Sequence, residues 1–372
     1  MAQNGSGDKP RVLILGGTGF IGRNLVHYLV TNNLVEKIRV VDKVIPQMAW
    51  LNKKHKDVFD RIECKHANLI NEKSVISAFD CDDGKKFDYV INCAAETKYS
   101  QMDSVYKEGI YKLSMNCAHQ AALCDVKAYI EVSTTQLKSS RTPINEECEV
   151  APWTLQAKHK LLVERNLPSI DGLNYMIVRP AIVYGPGDKL GLTPRLIIGA
   201  VYKYLNESMK VLWTRDLRMN TVHVLDLCRG IWHLCLNGKV GETYIIADKA
   251  NTTQGDICDR ISELFGVNHN FVGPLVSSMA KITLSEIIED INDKHMAPWG
   301  EACQKDGIVN TPLNPHINQE LLDDHNTHVD GSKIESTGFS YEHPRVTAQL
   351  LKEVLDDYVK MGLFPPTLVA TS

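Results

Sequence analysis

Short, unbroken apolar runs alternate with stretches of helical periodicity along the first two thirds of the chain. Val12-Leu13-Ile14-Leu15 is the first run, and 21–30 after it places its apolar residues at helical spacing. A second run at 38–42 precedes a basic helical stretch at 48–60, a third strand at 61–69 and a helix at 71–79. Strands are predicted at 89–95, 128–133 and 175–180, with helices over about 104–124 and 152–167 between them, and one more strand at 241–246. Runs that do not alternate with polar residues suit strands buried on both faces. Strands separated by helices mean βαβ units, so the expected class is α/β, a doubly wound parallel sheet.

The rest of the chain is patterned differently. Residues 265–335 are irregular and carry Pro274, Pro298, Pro312 and Pro315, which predicts a smaller C-terminal lobe. Inside it, 284–293 is acidic with apolar residues at helical spacing, the pattern of a solvated helix rather than a metal site. A terminal amphipathic helix is expected at 350–361, and Pro365-Pro366 starts a tail.

The chemistry begins directly after the first run. Gly16, Gly19 and Gly22 fall at three-residue spacing between a strand and a helix. In that context one glycine allows a tight turn, one lets backbone approach a pyrophosphate, and one lets helix pack on strand. The following helix would present free N–H groups to phosphate. The second strand ends in Asp42, about twenty residues past the last glycine, where a carboxylate holds an adenine-ribose diol. It would repel a 2′-phosphate, so NAD is expected; Lys43 softens that preference and leaves NADP open. The domain organisation expected is a tail at 1–10, a Rossmann dinucleotide-binding domain at 11–185 with a later strand near 241–247, a mainly substrate-binding lobe at 186–363, and a tail at 364–372.

Composition narrows this further. At 372 residues the chain has the length of one large or two coupled domains. A net charge of −4 without a basic cluster argues against nucleic acid or an anionic membrane as main partner. The ten cysteines include no Cys-x-x-Cys and read as reduced thiols, the usage of a cytoplasmic protein. The N-terminal segment lacks a signal-peptide core, and no apolar stretch is long enough to predict a transmembrane helix. There is no His-Glu-x-x-His or Cys/His spacing of metal type, and no Gly-x-Ser-x-Gly.

Several further motifs join the glycine turn: Asn92-Cys93-Ala94-Ala95, Ser133-Thr134, Lys160 and Glu164, Arg179–Asp188 beginning Arg-Pro-Ala-Ile-Val-Tyr-Gly-Pro, His223-Val224-Leu225-Asp226, and Asp330–Ile334. With them the chain resembles the extended short-chain dehydrogenase/reductases of the NAD-dependent epimerase/dehydratase type, from about residue 11 to about residue 363. The resemblance implies a cofactor site formed by Gly16, Thr18, Gly19, Phe20, Ile21, Gly22 and Asp42. It also implies Asn68 and Leu69 near the adenine, Cys93, Ala94 and Ala95 along the ribose and pyrophosphate, and Pro180 beside the nicotinamide. Thr134 would hydrogen-bond a substrate oxygen, and Lys160 would bind the nicotinamide ribose and assist a catalytic tyrosine.

That tyrosine is missing. The family pairs Tyr-x-x-x-Lys on one helix face, since residues four apart are neighbours; here Gln156 stands in its place. An amide does not titrate and offers only hydrogen bonds, and there is no tyrosine between Tyr129 and Tyr175. Glu96, Tyr99 and His159 are the other groups within reach in principle, each also readable as a loop or surface residue. The arginine expected four residues before His223 is Met219, with Arg218 one residue early as an alternative substrate contact. Two functions stay open. One is an oxidoreductase, epimerase or dehydratase with a non-standard acid/base, acting on a hydroxyl or carbonyl of a sugar- or sterol-type small molecule. The other is an inactive NAD-binding sensor or scaffold. By analogy, helices about 104–124 and 152–167 are where a homodimer would form.

Overall fold

Arg11–Leu15 (β1) is buried at every position and is an interior strand of the sheet. A computed structural model describes residues 9–81, 83–273 and 284–369, residues 284–291 by their backbone alone. The other sheet strands are Lys37–Asp42 (β2), Glu63–His66 (β3), Tyr89–Asn92 (β4), Ala128–Val132 (β5), Tyr175–Pro180 (β6) and Thr243–Ile246. They form a seven-stranded sheet in which every pairing is parallel, ordered β3-β2-β1-β4-β5-β6 with Thr243–Ile246 outermost beside β6. The chain runs outward from β1 to β3 and then crosses back to β4. β1 and β4 therefore carry connections that leave to opposite sides, and a crevice opens at their carboxyl ends.

Both faces are covered. On one, Phe20–Thr31 (α1), Lys53–Phe59 (α2) and Val224–Asn237 supply Leu25, Val26, Leu29, Val58, Phe59, Leu227 and Ile231. On the other, Glu72–Phe79 (α3), Leu113–Leu123 and Leu155–Asn166 supply Val75, Phe79, Cys117, Ala121 and Val163. A third apolar cluster lies in the second half of the chain. Its elements are Thr193–Leu205, Gln254–Phe265, Leu284–Lys305 and Ala348–Lys360, with Ile197, Ile261, Trp299 and Leu355 inside. In chain order the helices after α3 are Asp103–Tyr106 (α4), Leu113–Leu123 (α5), Leu155–Asn166 (α6), Thr193–Leu205 (α7), Val224–Asn237 (α8), Gln254–Phe265 (α9), Leu284–Lys305 (α10) and Ala348–Lys360 (α11).

The structure departs from the sequence pattern at several points. The helix expected at 48–60 is shortened to α2, because Trp50 turns into a positive φ of 53° and Asn52 caps His55 N–H. The third strand keeps only Glu63–His66, an edge strand with alternating burial. The helix expected over 104–124 is interrupted by a π-helical turn, Lys107–Lys112. The stretch 265–335 is less irregular than its prolines suggest: α10 runs through Pro298, which removes one backbone donor without ending the helix. Pro274 lies outside the described residues. Two small parallel pairs have no counterpart in the pattern: Ile182–Tyr184 (β7) with Thr221–His223 (β9), and Met209–Val211 (β8) with His269–Phe271.

Candidate active site

The crevice at the carboxyl ends of β1 and β4 is a cavity of about 650 Å³, within the range of cofactor and small-molecule sites. Its floor is the glycine turn. Gly16 has φ +73°, and a Cβ there would lie 2.6 Å from Ala94 Cα. A Cβ on Gly22 would lie 2.4 Å from the Gly16 carbonyl oxygen. Gly19 caps α1 without any side-chain hydrogen bond, so the first N–H groups of the helix keep no side-chain partner. Arg23 of the same helix is 4 % exposed and donates to the carbonyls of Ala49 and Trp50 at 2.7 and 2.9 Å, pulling the 43–51 loop against the turn.

Asp42 closes the adjacent strand. Its carboxylate accepts from Thr18 N–H at 3.1 Å and Val44 N–H at 3.0 Å, at the edge of the cavity. Phe20, Ile21, Asn68 and Leu69 line the same end, and Cys93, Ala94 and Ala95 run beneath it. Burial raises the Cys93 thiol's pKa, which makes it a small wall residue rather than a nucleophile. Small residues under a positive-φ glycine, a helix end lacking a side-chain cap and a carboxylate at the next strand end fit a dinucleotide.

At the other end stand Thr134, Gln156 and Pro180. Thr134 follows β5, and its hydroxyl accepts Gln136 N–H at 3.1 Å. Gln156 lies in the first turn of α6, which Thr154 caps by accepting Ala157 N–H. The Gln156 amide donates to the Glu96 carbonyl at 3.0 Å, tying helix to loop. Glu96 itself lines the cavity, with Lys43 at 3.5 Å.

Lys160 and Arg218 are placed elsewhere. Lys160 is 6 % exposed and does not line the cavity; its ammonium donates to Val132 O at 2.6 Å and lies 3.4 Å from Glu131. Glu131 is fully buried and also accepts from Asn92, Ser114 and Tyr129 at 2.7, 3.0 and 2.8 Å. Lysine and carboxylate thus complete one buried polar cluster under the sheet end. Arg218 donates to Asn251 O at 2.9 Å and also lies off the cavity, whereas its neighbours Leu217 and Met219 line it. His159 faces Asp103 at 3.0 Å.

Sequence reasoning missed two cations. Lys189 and Arg195 line the cavity from the loop before α7 and from its first turn. Neither forms an ion pair among the described residues, and burial lowers the pKa of both. Asp188 beside them is consumed: its carboxylate accepts the N–H groups of Leu190, Gly191, Leu192 and Thr193 at 2.7–3.1 Å. The Asp188-x4-Thr193-Pro194 pattern, an acid ahead of a proline-started helix, was a legible sign of that capping. Trp153, stacked on His325 at 4.4 Å, also lines the cavity, and its buried indole N–H has no partner among the described residues.

Residues 12–247 match the model of the NAD dependent epimerase/dehydratase family. A UDP-glucose 4-epimerase of Vibrio cholerae is 27 % identical over 197 residues, which cover 48 % of this chain and 53 % of that one; the match thus spans about half the length of that curated relative. Among solved structures, the dTDP-glucose 4,6-dehydratase DesIV of Streptomyces venezuelae superposes with a TM-score of 0.68 at 20 % identity, over 96 % of this chain and 99 % of that one. The Bordetella bronchiseptica enzyme WbmG in complex with NAD and UDP gives 0.68 at 16 % identity, over 98 % of each. A UDP-N-acetylglucosamine 4-epimerase of Methanobrevibacter ruminantium gives 0.67 at 16 %, over 95 % and 99 %. At these identities the structural likeness is one of fold.

Proposed function

The chain belongs to the NAD dependent epimerase/dehydratase family, and from that premise we propose that it binds NAD in the cavity at the β1/β4 crevice. There it carries out redox chemistry at a hydroxyl or carbonyl carbon of an anionic, nucleotide-sugar-type substrate. When bound, the nicotinamide supplies a hydride acceptor or donor. Gly16, Gly19 and Gly22 let the backbone meet the pyrophosphate, the α1 N-terminus faces its charge, and Asp42 receives the ribose hydroxyls. Thr134 orients the substrate oxygen, and Lys189 and Arg195 take its anionic end.

The observation that carries the reading is that one continuous cavity is lined by Gly16 and Asp42, by Thr134, and by Lys189 and Arg195. Two cations without carboxylate partners favour a phosphate-bearing substrate over a sterol. The relatives named for UDP- and dTDP-sugars support the same class. Incubation with NAD and a panel of UDP- and dTDP-sugars, read by nicotinamide absorbance and by chromatography of the sugars, tests it. Conversion of one panel member, weakened in Arg195→Gln chiefly through KM, is the expected result. The second reading, a cofactor-binding sensor, is favoured by Gln156 and Lys160 both being engaged in structural hydrogen bonds. Tight NAD binding with no conversion of any panel member would move the assignment there.

A further inference from the structure

We propose that Tyr99 is the proton donor of this site, a catalytic acid carried on the loop after β4 instead of on α6. The inference rests on the enzyme reading above and supplies the group that reading lacks.

The described acids of the cavity wall are already engaged. Asp42 and Asp188 accept backbone N–H groups, Glu96 accepts Lys98 N–H beside Lys43, and Asp323 lies 3.5 Å from His325. Gln156 has no proton to exchange at neutral pH. Tyr99 lines the same cavity as Thr134 and Pro180. Its phenol oxygen accepts from the Gln136 amide at 2.9 Å, while its own proton has no acceptor among the described residues. The orientation of Gln136 is set from two sides. Its amide oxygen accepts from Thr154 at 3.1 Å, and its backbone N–H donates to Thr134 at 3.1 Å. The phenol and the Thr134 hydroxyl are thus both hydrogen-bonded to Gln136, one through its side chain and one through its backbone, and both line the same cavity.

The loop that carries Tyr99 is pinned along its length. Glu96 N–H donates to the Gly109 carbonyl in the π-helical turn at 3.0 Å. The Lys98 carbonyl accepts from Tyr106 at 2.7 Å, and Ser100 N–H donates to Glu320 at 2.8 Å. A preplaced acid loses little on engaging substrate. Burial raises the Tyr99 pKa, with Glu320 and Tyr106 pushing the same way against Gln136 and Arg195. The phenol is thus held neutral, the form that donates, which suits reduction of a carbonyl. Tyr99 O–H would break as the substrate oxygen gains the proton, the hydride needed at the carbonyl carbon being the chemistry a reduced nicotinamide would supply when bound. The phenolate left behind recovers its proton from solvent.

The test is NMR of protein labelled at tyrosine Cζ, with Tyr99 assigned among the thirteen tyrosines by Tyr99→Phe. In the free protein Tyr99 is expected to titrate above the ordinary tyrosine value of about 10 and higher still in Arg195→Gln. Its resonance is expected to shift when NADH binds. A Tyr99 that titrates as an exposed phenol, or that stays unmoved while calorimetry shows NADH bound, overturns the proposal. If NADH does not bind at all, the cofactor reading fails and this inference falls with it. On a carbonyl compound that the wild type reduces, Tyr99→Phe is expected to lose about 100-fold in kcat with NADH affinity unchanged. Gln136→Leu, which leaves the phenol in place, is expected to shift the pH profile. A Tyr99→Phe enzyme with full kcat overturns the assignment.

Discussion

Replacing Lys160 with alanine separates a structural lysine from a cofactor-binding one. The ammonium lies 3.4 Å from Glu131 with side-chain exposures of 7 % and 0 %, so removing it leaves a carboxylate in the interior. Breaking a buried pair from one side costs about 3–5 kcal/mol. Glu131 keeps the donors Asn92, Ser114 and Tyr129, which places the expected loss at the lower end, about 3 kcal/mol. At about 2.1 cal/mol/K of unfolding entropy per residue over a chain of 372 residues, that is about 4 °C in Tm. Glu131→Gln combined with Lys160→Met removes both charges and is expected to recover part of the loss, because no buried charge is left unpaired while the amide NH2 replaces an oxygen that accepted hydrogen bonds. Thermal and urea unfolding of the three proteins, with NAD titration of each, is the assay. If Lys160→Ala leaves Tm within about 1 °C of wild type, a change of less than ~0.8 kcal/mol, and NAD affinity falls tenfold, Lys160 faces the cofactor and the reasoning is wrong.

Gly22→Val should be expressed poorly or bind NAD more than tenfold more weakly, since its Cβ would lie 2.4 Å from the Gly16 oxygen and 2.5 Å from Gly17 Cα; calorimetry reads the affinity. Acid should unfold the protein in part through His295, which is 3 % exposed, has both ring nitrogens without a partner among the described residues, and has its pKa lowered from 6.5 to about 4 by burial and by Lys294. A depressed histidine pKa means that the unfolded chain binds the proton more readily. Stability is thus full above 6.5 and is lost as pH falls from 6.5 toward 4. His295→Leu should flatten the urea midpoint over that window, and an unchanged slope would exclude His295 as a contributor. Arg195→Gln should weaken UDP binding while leaving NAD binding unchanged, and equal loss of both would place the guanidinium at the cofactor instead.

The glycine-turn end of the cavity was legible because its residues are constrained by backbone. A strand, a glycine turn and a helix in that order allow few other arrangements, and Asp42 follows from strand length. The rest of the cavity depends on which way long side chains turn. Lys160 sits at the spacing of the family's lysine, yet Val132 O and Glu131 draw its ammonium under the sheet. A hint was present, since Glu131 falls inside the apolar run 128–132 and a buried carboxylate requires partners. Tyr99 and Arg195 come from segments nearly one hundred residues apart in sequence, and only the closing of the second half over the sheet brings both to one cavity. The helix through Pro298 was hidden by treating each proline as a breaker, although packing of Trp299 and Ala302 holds it.

The claim on which everything else depends is that the β1/β4 cavity holds NAD. Calorimetric titration of the purified protein with NAD and, separately, NADP tests it most directly. The expected result is micromolar NAD binding that weakens in Asp42→Ala, with NADP weaker than NAD in the wild type. Absence of binding by either nucleotide would contradict the account and leave the glycine turn as a structural element alone.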